Sequence, residues 1–429
     1  MAPAIGISFL LFLIIALPVA FVLGMSGTVG ILMGEGGSEL LPALPQVIFN
    51  TLNSFSFLTI PLFVFAGSIM AEGGVAKSLM ELASVTLGRG RGGLGTSMIA
   101  STLMFSGISG SSSADTAAIG KITIPSMKEQ GYPLPFATAV LAAAGGTAAL
   151  VPPSNDFILI GIVANISIAG LFAAGIIPAI VNATGLAGYV VYQSRKHGYG
   201  RIAGSFSLRG VVLAILKATP AIIMMAIILG GIVGGLFTPT EAAAVAVAYG
   251  MLVTAFWYRS LTLEKLVAIF RETIMISGVV LFVISMGAVL GYALTIFQVP
   301  GQLAEALSFI ESKFVFLLLV QILFFIMGMF MDTTPAILIL MPILTPMAVA
   351  RGVEPIHFGI LVETNIALGF ATPPVGSCLF TACAVAKVPI EAVIKPLVPM
   401  ILVLTATMMV ITYFEDFSMF LPRLFNLVD

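Results

Sequence analysis

The chain has 429 residues, of which 59% are hydrophobic and only 9% charged, with a formal net charge of −1. A soluble globule carries about 25% charged residues, so this composition describes a polytopic membrane protein. It excludes a large soluble domain, offers no basic block for nucleic acid, and leaves Cys378 and Cys383 as small buried hydrophobes and His197 and His357 without a metal signature.

Apolar runs of about 20 residues, the length that spans a bilayer, recur from end to end. The N-terminus lacks the charged start of a signal peptide and is predicted to open with a spanning helix over 4–23. A short segment near Thr28 returns, and 47–71 crosses again. Val75–Leu87 is amphipathic, with Val75, Leu79 and Leu82 on one face and Lys77, Glu81 and Ser84 on the other. That spacing fits a helix lying in the membrane interface. A hairpin over 94–127 follows, then a helix over 134–165 broken at Pro152-Pro153, then 166–192.

The polar linker 193–207 and the adjoining helix start hold Arg195, Lys196, Arg201, Arg209 and Lys217 with no acidic residue. The positive-inside rule puts this linker in the cytoplasm. Spans are then expected at 211–236, 241–258 and 273–297, with Glu241 as a first-turn residue after Pro239 and Thr240 as its cap. A second amphipathic stretch, 302–310, sets Leu303, Ala306, Leu307 and Ile310 opposite Glu305 and Ser308. A hairpin over 315–350, a helix over 358–387 broken at Pro373-Pro374, and a last span over 390–414 complete the chain. This layout leaves Lys313, Arg351 and Arg423 outside and Lys121 within the membrane.

The two halves repeat. A shift of 221 positions lays Pro125 on Pro346, Gly131 on Gly352, Pro152-Pro153 on Pro373-Pro374 and Pro178 on Pro399. Read with the topology, the second half is the first turned upside down. Interrupted helices in matched positions of a duplicated membrane protein point to a transport site. Broken helices strand backbone carbonyls and amides, which is tolerated only where they line a cavity or hold a ligand.

The first hairpin tip, SGISGSSSAD at 106–115, supplies the hydroxyls of Ser106, Ser109 and Ser111, a flexible backbone and the carboxyl of Asp115. Such an unwound turn can surround a dehydrated monovalent cation with oxygens. The second hairpin repeats the theme with Gly328, Asp332, Thr333 and Thr334. Each double proline breaks its helix and frees carbonyls upstream. The candidates are Gly145, Gly146, Val151 and Pro152 in one half and Gly369, Thr372 and Pro373 in the other. Beyond each break a new helix starts, at Ser154-Asn155 and at Gly376-Ser377, and its amides attract anions. Together these features describe a cation-coupled carrier for an acidic solute. Lys121 and Glu363 are further intramembrane charges that either pair with Asp115 or face water.

Several segments in order resemble the large membrane subunit of TRAP transporters, the DctM-like family. They are IPLFVFAGSIM (60–70), SGSSSADTAAIG (109–120), VPPS (151–154), GLFTPTEAAAVAVAYG (235–250), MDTTPAILILMPILTP (331–346) and ATPPVG (371–376). The resemblance implies an all-α, inverted-repeat, elevator-type importer of organic acids in the bacterial inner membrane. Sodium is its coupling ion, with no organic cofactor, and it is not an enzyme. Its partners are a small membrane subunit and a periplasmic substrate-binding protein. One sodium site is implied at Ser106, Ser109, Ser111 and Asp115 with the backbone of Gly146, Val151 and Pro152. The other lies at Gly328, Asp332 and Thr333 with Gly369, Thr372 and Pro373, and the substrate sits near Ser154, Asn155 and Gly376. Lys121 departs from the small or polar residue expected at its position in this family. The division implied is scaffold and arm over 1–93, transport elements over 94–166, closing helix and linker over 167–210, second scaffold over 211–313, second transport elements over 314–388, and a terminal helix over 389–429.

Two other readings compete. Gly107-Ile108-Ser109-Gly110 matches a G-x-S-G nucleophile pattern, and an intramembrane serine protease would need His357 as its base. A passive channel also uses paired re-entrant hairpins. Neither the duplication nor the second hairpin follows from a protease.

Overall fold

The computed structural model describes residues 2–34, 37–200, 208–306, 310 and 312–428. The described residues form helices and connecting turns, with no β-strand among them. The first half runs through α1 (Ala2–Ile14), α2 (Val19–Leu32), α3 (Gly37–Leu40), α4 (Ala43–Leu52), α5 (Thr59–Glu72), α6 (Val75–Leu87), α7 (Gly93–Ser109), α8 (Ser112–Glu129), α9 (Leu134–Ala148), α10 (Asn155–Ala164) and α11 (Ile168–His197). The second runs through α12 (Leu208–Val233), α13 (Pro239–Leu252), α14 (Leu263–Ile296), α15 (Val299–Ala306), α16 (Lys313–Phe330), α17 (Thr333–Ala350), α18 (Pro355–Phe370), α19 (Ser377–Ala386), α20 (Ile390–Tyr413) and α21 (Asp416–Leu424). Among the described residues, 8 helices are long and apolar enough to cross a membrane.

Helix boundaries repeat at the same shift of 221. Ser112, which opens α8, falls on Thr333, which opens α17, and Leu134 of α9 falls on Pro355 of α18. The likeness is incomplete. Residues 43–72 form two helices, α4 and α5, joined through a 3₁₀ turn at Phe55–Leu58, whereas their counterpart α14 is a single helix of 34 residues. Asn53 and Ser54 favour a turn, and Pro61 has no amide to donate to the turn before it. The single span expected over 47–71 is therefore divided.

Other boundaries also differ from the sequence expectation. The helix expected over 4–23 stops at Ile14, and Pro18 precedes a second helix. Ala16 takes a left-handed φ of 59° in that turn. The two short helices then pack together, with Gly30 directly facing Ile5. Thr238, not Thr240, caps α13: its side chain accepts from the Glu241 amide while Glu241 accepts from the Thr238 amide. Pro239 fits the first turn because its missing N–H would have gone unused. Thr240 instead meets Thr59, with the two hydroxyl oxygens 2.6 Å apart. The amphipathic stretch expected at 302–310 corresponds to α15, which starts earlier, and its 307–309 portion lies outside the described residues. So do Arg201 and the rest of 201–207 of the linker.

The core is built around α9 and α18. Every residue from Phe136 to Ala148 and from Ile356 to Phe370 is buried. A helix apolar on all sides belongs in an interior, and the run of Ala and Gly in α9 lets neighbours approach closely. A Cβ on Gly146 would stand 2.5 Å from the Ala367 carbonyl oxygen, so the two helices touch backbone to side. By contrast α12, α14 and α16 leave apolar faces outward, including Leu216, Ile223, Phe270, Ile274, Ile322 and Ile326. Exposed ion pairs tie neighbouring elements: Lys217 to Glu81 at 2.8 Å and Lys265 to Glu72 at 3.6 Å. Pairs this exposed contribute about 0–1 kcal/mol each.

Candidate functional site

Helices α7 and α8 are separated only by Gly110 and Ser111, and α16 and α17 only by Met331 and Asp332. Gly110 adopts φ of 65°, a turn in which a side chain would be strained. Between α9 and α10 lie residues 149–154, and between α18 and α19 lie 371–376. The Pro152-Pro153 and Pro373-Pro374 bonds are both cis.

Each tip packs against the break of its own half. Ser106 Oγ donates to the Ala148 carbonyl at 2.8 Å, and Gly110 lies against the Pro153 carbonyl. In the second half the amides of Val375 and Gly376 both donate to the Met329 carbonyl at 3.3 Å. Gly328 and Gly369 meet backbone to backbone: a Cβ on Gly369 would lie 2.5 Å from the Gly328 carbonyl carbon. The halves also interlock reciprocally. The α10 helix leans on α17, and α19 leans on α8.

At the first tip Ser109 Oγ donates to Asp115 Oδ1, and the Ser111 amide donates to Ser109 Oγ at 3.2 Å. Asp115 is fully buried, and its Oδ2 has no donor. Ser109, Asp115 and the Ser111 amide thus form one linked group, with Ser106 one helical turn earlier bound to the Ala148 carbonyl of the break. Of the backbone candidates beside it, the Gly146 carbonyl accepts from Ala149 N at 3.2 Å, so helix geometry already uses it. Pro152 presents its carbonyl toward Gly107. In the second half the Gly369 carbonyl accepts from Thr372 N at 2.9 Å, and Thr372 Oγ1 donates to the Leu368 carbonyl at 2.8 Å. Gly328 and Gly369 make this contact, and Thr372 and Pro373 follow in the break between α18 and α19.

Asp332 stands at the N-cap position of α17 without a side-chain capping bond and is exposed, while Thr333 is buried. Under the shift that superposes the halves, Asp332 falls on Ser111, not on Asp115, so the two acids are not equivalents. Thr333 Oγ1 donates to Asp156 Oδ2 at 3.3 Å. Asp156, in the first turn of α10, escaped the sequence reading; its signal was an acid in the otherwise apolar run NDFILIGIVA. Glu363 of α18 is fully buried, with Asp156 as its hydrogen-bonding neighbour and Asp332 as a further acid nearby. It therefore belongs to this group rather than to Asp115. Lys121 is exposed on α8 and makes no ion pair with Asp115.

The expected anion-accepting ends are both in use. Ser154 is buried before α10, whose first turn holds Asp156; Asn155 sits beside Gly110 with its buried Oδ1 unpartnered. The Gly376 amide is bound to Met329. The protease reading is overturned by placement. His357 Nδ1 meets Ser418 Oγ at 2.7 Å and its Nε2 meets the Thr412 carbonyl at 3.1 Å, while Ser109 is held by Asp115.

Helices broken in matched positions around a buried polar centre, under outward apolar faces, describe a polytopic membrane protein of transporter type. Residues 7–417 match the family model described as tripartite ATP-independent periplasmic transporter, DctM component, and the chain belongs to that family. It is a family of transporters, not enzymes. The chain is 38% identical over 413 residues to the isethionate TRAP transporter permease protein DctMQ of Oleidesulfovibrio alaskensis, covering 96% of this chain but 65% of that longer protein. It is 36% identical over 402 residues to the C4-dicarboxylate TRAP transporter large permease protein DctM of Pseudomonas aeruginosa, covering 94% of this chain and 93% of that one. In fold it is similar to the crystal structure of the Alcanivorax borkumensis YdaH transporter, with a TM-score of 0.63 at 16% identity, over 97% of this chain and 99% of that one.

Proposed function

We propose that this chain is the large membrane subunit of a sodium-driven importer of an organic acid in the bacterial inner membrane. A small membrane subunit braces it, and a periplasmic binding protein delivers the solute. The reading rests above all on the first tip, where Ser109, the Ser111 backbone and the buried Asp115 carboxyl meet, with Ser106 joining the tip to the helix break. Asp115 Oδ2, buried without a donor, supplies an acceptor that a dehydrated cation satisfies. The second tip, with Asp332, Thr333 and the abutting Gly328 and Gly369 backbones, is the corresponding ion site of the other half.

The hairpins enter the membrane from opposite faces, as an inverted repeat requires. Movement is of the elevator type: the interlocked α7–α10 and α16–α19 carry the sites across while α2, α5, α13 and α14 stay fixed. Packing supports that division, since α14 holds α2, α4 and α5 together, and α9 holds α7, α8, α19 and α20. The relatives named above carry different solutes in their descriptions, isethionate in one and C4-dicarboxylates in the other, so the particular acid does not transfer from either.

The test is uptake into proteoliposomes holding the chain and its small subunit, with the binding protein outside and a sodium gradient directed inward. Accumulation that collapses when the gradient is dissipated is expected. Uptake at the same rate with potassium replacing sodium removes the coupling; equilibration without accumulation makes the protein a channel.

A further inference from the structure

A small cavity lies where α11 meets the two broken helices, away from both tips. Its wall is Thr147 of α9, Asn182 of α11, Thr364, Ala367 and Leu368 of α18, and Leu404 of α20. Its volume is about 10 Å³. That is room for one water and for no larger guest.

Half of this wall is polar, and the polar atoms ask for a donor. Thr147 Oγ1 donates its one proton to the Ala143 carbonyl at 2.9 Å, and Thr364 Oγ1 donates to the Ile360 carbonyl at 2.6 Å. Each hydroxyl has thus spent its proton inside its own helix, and its oxygen remains an acceptor. Asn182 is 4% exposed, and its Oδ1 is buried with no donor. An amide carbonyl left unpaired in the interior is costly, so it calls for a partner.

The duplication does not account for these side chains. At the shift of 221, Thr147 falls on Leu368, Asn182 on Val403 and Thr364 on Ala143. Both halves therefore line the cavity, yet each polar residue in its wall has an apolar counterpart. An apolar guest would leave the acceptors unpaired. A cation fits no better, because the wall holds no carboxyl to balance a buried charge.

We infer that one water molecule binds in this cavity as a fixed part of the protein, donating to Asn182 Oδ1 and to a threonine hydroxyl, and so bridging α11 to the broken helices. The site is independent of the ion and solute that the protein carries. Its place in the fold is still telling. Thr147 immediately precedes Ala148, whose carbonyl takes Ser106 Oγ from the first tip. The bridge therefore braces the end of α9 beside that contact.

The test is cryo-electron microscopy of the full chain in lipid nanodiscs, at a resolution that shows ordered water, once in sodium and once in potassium buffer. One peak within hydrogen-bond distance of Asn182 and a threonine hydroxyl is expected in both. A cavity without a peak, among well-defined side chains, overturns the inference. So does a peak present in sodium alone, which makes the occupant an ion. Asn182→Val, which installs the residue found at the matching position of the other half, should expel the water. Thr364→Ser keeps the hydroxyl and should retain it. A peak unchanged in Asn182→Val removes Asn182 as the partner and overturns the inference, whereas the sodium carrier is judged separately by uptake.

Discussion

Thr333 donates to Asp156 across 3.3 Å, and this one bond joins the second half's hairpin to the first half's broken helix. The two residues are 177 positions apart in the chain. Its consequence is mechanical as well as chemical. The hairpin of one half thus packs on the broken helix of the other, α10 on α17, and α19 packs on α8 in the reciprocal way, so both halves contribute to one packed body. A site built between such elements keeps its geometry while being carried, which is what an elevator-type carrier requires.

Gly369→Ala should damage that body. Its new methyl would stand 2.5 Å from the Gly328 carbonyl carbon and 2.9 Å from the Met329 amide nitrogen, and this α16 backbone has no flexible side chain to move aside. Overpacking of this kind costs about 1–3 kcal/mol. Thermal unfolding of the purified protein should show the loss, and uptake should fall with it. Gly278→Ala, in α14 with nothing within 4 Å of the added carbon, is the control and should be neutral or gain up to about 1 kcal/mol from helix propensity. Equal behaviour of the two variants would refute the tight contact.

If the proposed sodium site is at the first tip, Asp115→Asn should raise the sodium concentration needed for half-maximal uptake by about 10- to 100-fold, the loss of one charge-assisted contact. Ser109→Ala should do the same to a smaller degree by removing the hydroxyl that orients the Asp115 carboxyl. A sodium titration of uptake at fixed solute measures both. If Asp115→Asn lowers the maximal rate but leaves the sodium midpoint alone, the carboxyl is structural.

The membrane class and the duplication were legible because both are written in composition and in proline spacing. Pro152-Pro153 and Pro373-Pro374 mark their breaks in any context, since proline removes a donor whatever surrounds it. The ends of α1 and α4 were not legible, because Pro18 and the Asn53-Ser54 turn compete with long apolar runs that read as continuous spans. Asp156 was missed for a different reason. Its role depends on Thr333 and Glu363, which are distant in sequence, and local pattern carries no sign of a contact between halves. Thr240 looked like the cap of α13, but the capping box belongs to Thr238, whose spacing to Glu241 is the three residues the motif needs.

A cysteine at position 129 and one at position 350 should be labelled from opposite sides of the membrane. Glu129 ends α8 and Ala350 ends α17, the corresponding helix, and both positions are exposed. Ala350 is a better choice than Arg351, which donates to the carbonyls of Ile310 and Met347. The native Cys378 and Cys383 are buried and should contribute little background. Labelling with an impermeant maleimide in intact cells should reach one site, and in inverted vesicles the other. Labelling of both from one side removes the inverted repeat and with it the opposed hairpins.

Robust transport should need partners. The outward faces of α12, α14 and α16 hold Leu216, Ile223, Phe270, Ile274, Ile322 and Ile326, apolar side chains that suit lipid or the helices of a second membrane subunit. In the proposed elevator division the moving body slides against a frame of α2, α5, α13 and α14, which a second membrane subunit would brace. In proteoliposomes with a sodium gradient and micromolar solute, this chain alone should give negligible uptake. Adding the small subunit and then the matching binding protein should restore it in two steps. Full uptake by the chain alone would remove the tripartite assembly while leaving a sodium-coupled carrier in place.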